Sequence, residues 1–383
     1  MTVTTPAGFE AAGVACGLKS SGTADLALIV NRGPRRAAAA VFTRNRAKAN
    51  PIIWSQQAVA DGEVAAIVLN SGGANCFTGA QGFQTTHATA EAVAEALGVG
   101  AGEVLVCSTG LIGDQLDRVR LLAGVEKAVA ALSAAGGGDA AAAIMTTDSV
   151  PKQAARSRDG WSIGGIAKGS GMLAPGLATM LVVITTDADV PAGALDIALR
   201  HATRLTFDRL DSDGCMSTND QVSLMASGAS GVVPDVDVFA RELTALCRDL
   251  AEQLQADAEG ASHNIRIEIV GAASEDDAVE VGRSIARNNL VKAAIFGNDP
   301  NWGRVLAAIG TTGAEFDPYD VDVSMNGARV CTAGGPDRPR DEVNISGRAV
   351  HVLVDLRVGA ATATILTNDL THDYVHENSA YSS

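Results

Sequence analysis

The sequence has few aromatic residues and no excess of basic ones. Phe, Trp and Tyr together make up 4% of 383 residues, so a buried core has to be built from Ala, Val, Leu and Ile. Acidic residues outnumber basic ones by 44 to 29, which gives a formal net charge of −15. A chain this acidic lacks the clustered Lys and Arg that nucleic acids or anionic membranes need in a partner.

The sequence also lacks the signs of an oxidising compartment and of a membrane span. No CxxC pair occurs, which favours reduced thiols. There is no cationic start followed by an apolar stretch, and no apolar run is long enough to cross a bilayer. We therefore expect a cytoplasmic protein. The scattered cysteines are Cys16, Cys76, Cys107, Cys215, Cys247 and Cys331.

Standard cofactor and metal motifs are missing as well. "NSGGANCFTG" (70–79) follows a predicted strand, yet neither it nor any other segment has GxGxxG or GxxxxGK[ST] spacing. His372 and His376 would share one helix face, but no third ligand is apparent nearby. Asp211-x-Asp213-Gly begins like a calcium loop and then departs from that pattern. We expect no cofactor and no metal.

Apolar runs alternate with helical periodicity along the chain, which predicts an α/β layered fold. Val238–Leu254 is the clearest helix, and Ser274 with Asp277 is a capping pattern for a helix running to about Asn289. The other predicted helices are Phe83–Leu97, Val119–Leu132 and Ala192–Leu205, and the predicted strands are Leu26–Asn31, Ala38–Thr43, Ala65–Asn70, Val104–Cys107, Met180–Ile184, Val222–Ala226, Ile265–Val270, His351–Asp355 and Ala363–Leu366.

The length allows a large domain with a smaller partner. No low-complexity linker separates two halves, so we expect a smaller α/β domain that is closely docked and begins at about residue 233. Segments rich in Gly or Pro at Ala134–Asp139 and Gly334–Arg340 predict surface loops.

Thr179 stands where a glycine-rich loop becomes an apolar run. A threonine at the start of a strand needs no further explanation, because β-branched residues suit strands. Chemistry offers an alternative: cleavage of the Ala178–Thr179 bond would free an α-amine that can take the hydroxyl proton of Thr179. Such a nucleophile needs no histidine, and the GxSxG turn of many serine hydrolases does not occur in this chain.

The segment "AKGSGMLAPGLATMLVVITTDA" (167–188) resembles the self-cleavage segment of the ornithine acetyltransferases, also called glutamate N-acetyltransferases, of arginine biosynthesis. Seven further segments resemble that family in the same order: "NSGGANCFTG", "CSTGLIG" (107–113), "IMTTDSVPK" (144–152), "DSDGCMSTND" (211–220), "DAEGAS" (257–262), "GNDPNWGR" (297–304) and "DYVHENSAYSS" (373–383). One departure is "EGASH", with Ser262 and His263, where the family leads us to expect "EGATK".

The resemblance implies a layered αββα sandwich shared with self-processing aminopeptidases, cleaved into residues 1–178 and 179–383, with two copies of each fragment in the assembly. It implies that Thr179 is the nucleophile, first on the Ala178 carbonyl and then on the acetyl group. Thr109 and Gly110 match the oxyanion hole through a hydroxyl and a backbone N–H. The implied substrate contacts are Thr146, Lys168, Thr179, Glu259, Asn378 and Ser383.

The implied activity is transfer of an acetyl group from N-acetylornithine to glutamate through an acetyl-threonine intermediate, without a cofactor. Some members of the family also take the acetyl group from acetyl-CoA, and the sequence leaves both types open. One alternative is a self-processing aminopeptidase or amidase with water as the acceptor, although the C-terminal "HENSAYSS" favours the transferase. A second alternative is a non-catalytic binding protein in which Thr179 only packs.

Overall fold

The computed structural model describes residues 1–174 and 180–380 and confirms the predicted α/β class. Within these ranges the strands are β1 (Phe9–Val14), β2 (Leu26–Asn31), β3 (Ala37–Phe42), β4 (Ala66–Asn70), β5 (Val104–Ser108), β6 (Lys152–Arg158), β7 (Trp161–Lys168), β8 (Leu181–Thr186), β9 (Gln221–Ala226), β10 (Asn264–Ala272), β11 (Asp322–Met325), β12 (Ala328–Thr332), β13 (Gly335–Pro336), β14 (Ala349–Asp355) and β15 (Ala361–Asn368). The helices are α1 (Asn50–Ala58), α2 (Gly79–Leu97), α3 (Arg118–Ala130), α4 (Gly137–Ala143), α5 (Ala192–Leu205), α6 (Val236–Ala256), α7 (Glu275–Ala286), α8 (Asn289–Phe296), α9 (Trp302–Ile309) and α10 (His372–Ala380).

Two sheets lie face to face at the centre of the molecule. The first has the order β1-β2-β4-β5 and the second the order β3-β9-β8-β7-β6. Ile29 and Leu105 of the first sheet share one buried cluster with Ile166, Val183 and Met225 of the second. Because these side chains alternate with residues that point to the opposite faces, each sheet has a second apolar face to cover.

Helices cover both outer faces. Helices α2 and α3 pack on the first sheet, where Val93 and Val125 join a cluster with Val68. Helices α5 and α6 pack on the second sheet in the same way, with Leu199 and Leu246 in one cluster. The resulting order of layers is helices, sheet, sheet, helices, which confirms the predicted αββα sandwich.

Helix α6 follows the helical spacing of apolar residues in its sequence. Asp235 caps its N-terminus by accepting hydrogen bonds from the backbone N–H groups of Asp237 and Val238. Its apolar residues form one stripe that is buried against the second sheet, so burial of apolar surface fixes this helix in place. The stripe consists of Phe239, Leu243, Leu246, Leu250 and Leu254.

A third sheet, of order β13-β12-β11-β14-β10-β15, forms a smaller α/β unit with α7, α8 and α9. Its first strand begins at Asn264, whereas α6 belongs to the layer that covers the second sheet. The domain boundary at about residue 233 stays a prediction. No helix in the described ranges is both long enough and apolar enough to cross a membrane.

Two local predictions need correction. The helix capped by Ser274 ends at Ala286, because Asn288 caps a separate helix, α8, by accepting the N–H groups of Leu290 and Val291. The segment Ala134–Asp139 is not simply a surface loop, since α4 begins within it and packs on β1 and β2. A Cβ atom on Gly136 would lie 1.9 Å from the carbonyl oxygen of Ala11, so this glycine permits close backbone packing.

Candidate active site

Three residues predicted from the sequence meet at one buried ammonium group. Lys168, the last residue of β7, is 1% exposed. Its Nζ donates to Thr146 Oγ1 at 2.7 Å and to Thr109 Oγ1 at 3.2 Å. Thr109 directly follows β5 in the first sheet, and Thr146 lies just after α4. The sandwich therefore brings a lysine of one sheet together with hydroxyl groups carried by two other elements.

Gly110 follows Thr109 in a conformation that suits glycine. Its φ is +127°, and a Cβ atom there would lie 2.8 Å from the backbone nitrogen of Gly73. The Thr109 carbonyl accepts that same Gly73 N–H at 2.9 Å, which holds the two chain segments together. Among the described residues, no acceptor pairs with the N–H of Gly110. The assignment of Thr109 and Gly110 to an oxyanion hole stays a prediction.

Asp148 contacts both buried lysines and the backbone around them. One carboxylate oxygen accepts Lys152 Nζ and the Gly169 N–H, both at 2.6 Å. The other oxygen accepts the Thr146 N–H at 2.9 Å and lies 3.9 Å from Lys168 Nζ. Burial by itself would raise the pKa of Asp148, but Lys168, Lys152 and the Gly169 N–H lower that pKa to about 2.

Lys152 and Lys168 are among the largest fully buried side chains of the described residues. Lys152 bridges two carboxylates, since it also donates to Asp257 at 2.5 Å. Burial lowers the pKa of Lys168, and the negative charge of Asp148 opposes that shift. The buried charges are therefore paired in a chain, as buried charges must be to avoid a large loss of hydration energy.

Glu259 contacts the residue that follows Thr146. Its carboxylate accepts the Thr147 hydroxyl at 2.7 Å, and Thr147 is also hydrogen-bonded to the Ser170 hydroxyl at 2.6 Å. The Glu259 N–H donates to the Ser170 carbonyl at 3.0 Å. A Cβ atom on Gly171 would lie 2.5 Å from the Glu259 carboxylate. The "KGSG" segment (168–171), which begins at the last residue of β7, therefore contains Lys168 and also positions Glu259.

The C-terminal helix begins next to Glu259. The Thr371 hydroxyl donates to the Gly260 carbonyl at 2.6 Å and caps α10 by accepting the Tyr374 N–H at 2.9 Å. Burial, together with the negative charges of Asp213, Cys215 and Glu259, raises the pKa of Tyr374 to about 12. Asn378 is exposed and donates within its own helix, to the Tyr374 carbonyl at 3.0 Å. The structure thus brings the start of α10 to the site but does not place the Asn378 side chain in the buried cluster.

Ala178, Thr179 and Ser383 lie outside the described residues. The residue after Thr179 is described: the Met180 N–H donates to the buried carboxylate of Asp220 at 3.1 Å. This contact follows from the parallel pairing of β8 with β9, in which Leu181 is opposite Gln221.

Asn219, next to Asp220, reaches the first sheet. Its amide donates to the carbonyl of Ser108 at 2.9 Å and to that of Ala74 at 2.6 Å. Asp220 therefore binds the residue that follows the predicted nucleophile Thr179, and Asn219 binds the residue that precedes Thr109 of the predicted oxyanion hole.

Several residues of this site cannot be recognised from the local sequence. These residues lie inside the segments that carried the family resemblance, but nothing in the local pattern shows which of their side chains are buried together. They are Thr147, Asp148, Lys152, Ser170, Asn219, Asp220 and Asp257.

Two sequence features outside the cluster have structural explanations. Ser262 and His263, the departure from the expected family pattern, both bind Asp369, with His263 Nδ1 at 2.8 Å from its carboxylate. His372 and His376 do lie on one helix, as predicted, and the His372 ring packs edge-on against Phe296. In residues 1–174 and 180–380, no group of three or more His, Cys, Asp or Glu side chains is arranged to hold a metal ion.

An αββα sandwich in which buried charges and hydroxyl groups meet at the ends of its strands is suited to an enzyme that acts on a small polar compound. A sequence profile of the ArgJ family matches residues 10–383, and the chain belongs to this family. It is an acyltransferase of arginine biosynthesis.

Similar proteins cover the chain along its whole length. It is 63% identical over 383 residues, which is all of both chains, to the arginine biosynthesis bifunctional protein ArgJ of Streptomyces coelicolor. It is 55% identical to the protein of that name from Mycobacterium tuberculosis over 389 residues, covering 100% of this chain and 96% of that one. Among solved structures, the ornithine acetyltransferase of M. tuberculosis complexed with ornithine is 56% identical, with a TM-score of 0.45 over 47% of this chain and 96% of that chain.

Proposed function

We propose that this enzyme moves an acetyl group from N-acetylornithine to glutamate through an acetyl ester on Thr179. The nucleophile becomes active when the Ala178–Thr179 bond is cleaved, which frees the α-amine of Thr179. The observation that carries the proposal is the buried Lys168, whose ammonium group donates to the hydroxyl groups of Thr109 and Thr146. The name of the M. tuberculosis relative, an ornithine acetyltransferase complexed with ornithine, supports the choice of substrate.

In the first half-reaction, the Thr179 hydroxyl attacks the acetyl carbonyl and its proton passes to the α-amine of the same residue. An α-amine has a pKa of about 8, so it is a suitable base near neutral pH. The carbonyl oxygen becomes an oxyanion that Thr109 and Gly110 stabilise with two hydrogen bonds. The C–N bond then breaks, the α-ammonium returns its proton to the leaving nitrogen, and ornithine departs.

In the second half-reaction, the α-amine of glutamate attacks the acetyl ester. The same two donors stabilise the second oxyanion, and the C–O bond to Thr179 breaks as the hydroxyl regains its proton. All atoms and protons balance within these steps, so we propose that no cofactor takes part. The word bifunctional in the names of the relatives supports a second source of acetyl groups, for which we propose acetyl-CoA.

The charges at the site suit an amino-acid ligand. We propose that Lys168 faces the α-carboxylate common to both substrates and that Glu259 faces the side-chain ammonium of ornithine. A buried ammonium needs a charged partner to offset its lost hydration. We propose that Thr146, Asn378 and Ser383 contact the substrate as well.

Acetylation of the enzyme in the absence of glutamate tests the proposal. Mixing cleaved enzyme with N-acetylornithine should release one equivalent of ornithine in a burst, and mass spectrometry should find one acetyl group on the fragment that begins with Thr179. Adding glutamate should remove that group and produce N-acetylglutamate. Steady production of acetate without glutamate would instead identify a hydrolase, and sequential kinetics without an acetylated fragment would refute the ester intermediate.

We further propose that two copies of each fragment assemble in the cytoplasm. All six cysteines are free and five of them are buried, as suits a reducing compartment. Sedimentation equilibrium of the cleaved enzyme should give about twice the 39.0 kDa of one chain, and a mass near 39.0 kDa would refute the assembly.

A further inference from the structure

An unbroken line of polar contacts leads from the buried ion pairs to the predicted oxyanion hole. Lys152 contacts Asp148 at 2.6 Å, Asp148 lies 3.9 Å from Lys168, and Lys168 donates to Thr109 at 3.2 Å. An ammonium group has three N–H donors and no lone pair. The Thr109 oxygen must therefore accept from a charged Lys168, and its own hydrogen must point elsewhere.

A neutral amine would behave differently. Deprotonated Lys168 has a lone pair, so the Thr109 hydroxyl could donate to it and would then be lost as a donor to a reacting carbonyl. Only the charged form of Lys168 forces the Thr109 hydroxyl to donate outward. The protonation state of Lys168 thus decides the direction of the hydrogen bond at Thr109.

We propose that Asp148 is a positioning residue for catalysis: it keeps Lys168 protonated, and Lys168 in turn directs the Thr109 hydroxyl toward the oxyanion. The inference rests on the proposed role of Thr109 in the oxyanion hole and gives Lys168 a second task besides facing the substrate carboxylate. Polarisation by the ammonium also makes the Thr109 hydroxyl a stronger donor.

Charges on several elements face Lys168. Asp148, Glu259 and Asp220 favour its protonated form, while Lys152 and Lys19 disfavour it. Burial disfavours it as well and is the largest single influence on the pKa of Lys168. Among the charges that favour protonated Lys168, Asp148 acts most strongly. Its carboxylate accepts the N–H groups of Thr146 and Gly169, which leave it little freedom to move.

The Asp148→Asn variant tests the proposal through the pH dependence of acetylation. A plot of the ornithine burst rate against pH should have an alkaline limb, that is, a fall in rate at the pH where Lys168 loses its proton. Without the Asp148 charge, Lys168 loses its proton at lower pH, so the limb should move down by about one pH unit or more. Measuring only this half-reaction excludes the titration of the glutamate amine.

Asp257→Asn is the matched control. It removes an equivalent charge from the other side of Lys152, where Asp257 accepts at 2.5 Å, and Asp257 is not one of the charges that act most strongly on the pKa of Lys168. Its alkaline limb should stay at the wild-type pH. Equal movement of the limb in both variants, or no movement in Asp148→Asn, would overturn the proposal, because either result would mean that Asp148 acts only on the stability of the loop.

Lys168→Arg gives an independent result even if Asp148→Asn does not fold. A guanidinium stays charged over the whole accessible range and has no lone pair, so the alkaline limb should disappear whatever the absolute rate. A limb that persists at the wild-type pH would refute the role of Lys168. If the wild type still shows a normal ornithine burst, that result would refute only the role of Lys168 and not the acetyl-threonine mechanism. A missing wild-type burst would refute the mechanism itself.

Discussion

The Met180 N–H donates to Asp220 Oδ1 at 3.1 Å, so the first described residue after Thr179 is anchored to a carboxylate that is 0% exposed. The side chains of Thr43 and Ser217 lie close to the same carboxylate. Burial raises the pKa of Asp220 well above its ordinary value. The chain beside the predicted cleavage site is therefore held by a group that favours its neutral form.

Asp220→Ala should slow self-cleavage. The variant leaves the Met180 N–H buried without its acceptor, which costs about 1–3 kcal/mol. A shift of about 1 Å next to a reacting bond can reduce a rate about a hundredfold. We expect the conversion of precursor to fragments to be at least tenfold slower by gel, with near-normal cleavage in Asp220→Asn, which keeps an acceptor. Unchanged cleavage in Asp220→Ala would contradict the anchoring role.

Asp220→Asn should change the pH dependence of stability. The folded-state pKa of Asp220 lies above its unfolded value, so its contribution to stability is lost as pH rises through the folded pKa. The variant does not titrate and escapes that loss. The Tm of the variant minus that of the wild type should therefore be more positive at pH 8 than at pH 5. A constant difference across this range would show that Asp220 is already ionised.

Self-cleavage should depend on the hydroxyl of Thr179. The wild type should give fragments of residues 1–178 and 179–383, roughly 18 and 21 kDa by their share of 39.0 kDa, the second beginning Thr-Met-Leu. Thr179→Ala should remain one band, because no hydroxyl can attack the Ala178 carbonyl, and Thr179→Ser should still cleave. An intact wild-type chain that turns over N-acetylornithine would refute the free-amine mechanism.

Gly110→Ala should reduce acetyl transfer far more than Gly113→Ala. Both glycines have positive φ, at +127° and +95°, so both variants strain the backbone. Only the Cβ atom at Gly110 meets neighbouring atoms, with Gly73 N at 2.8 Å, and displaces the N–H that we assign to the oxyanion hole. Loss of one such donor costs about 3 kcal/mol, or roughly a hundredfold in kcat. Equal losses in the two variants would mean that backbone strain alone is responsible.

Glu259→Gln should separate the two half-reactions. Glutamate has a carboxylate where ornithine has its ammonium, so Glu259 can attract only ornithine. We expect kcat/KM for acetylation by N-acetylornithine to fall by about 2 kcal/mol, roughly thirtyfold, with little change in transfer to glutamate and none in self-cleavage. Glu252→Gln, on the exposed side of α6, is the control. Equal losses in both halves would assign Glu259 a purely structural role.

Features that depend only on neighbours along the chain follow directly from the order of residues. Strand β2 was predicted to the residue and β3, β4 and β5 to within one residue at each end, because buried strands read as short apolar runs between turn residues. The apolar stripe of α6 and the cap at Ser274 are equally local. The eight ordered segments, which also depend only on the order of residues, were sufficient to indicate the family.

Contacts between these segments, in contrast, depend on how the sheets pack. Lys152 and Asp257 are 105 residues apart and share a buried ion pair, and Asn219 reaches Ser108 across the interface between two sheets. Neither contact can be predicted from the local sequence, since a charged or polar residue near a turn is usually solvated. The stacking of the two sheets and the parallel register of β8 with β9 place Asp220 at Met180 and Lys168 at Thr109, because burying the apolar faces of both sheets leaves the polar ends of their strands together.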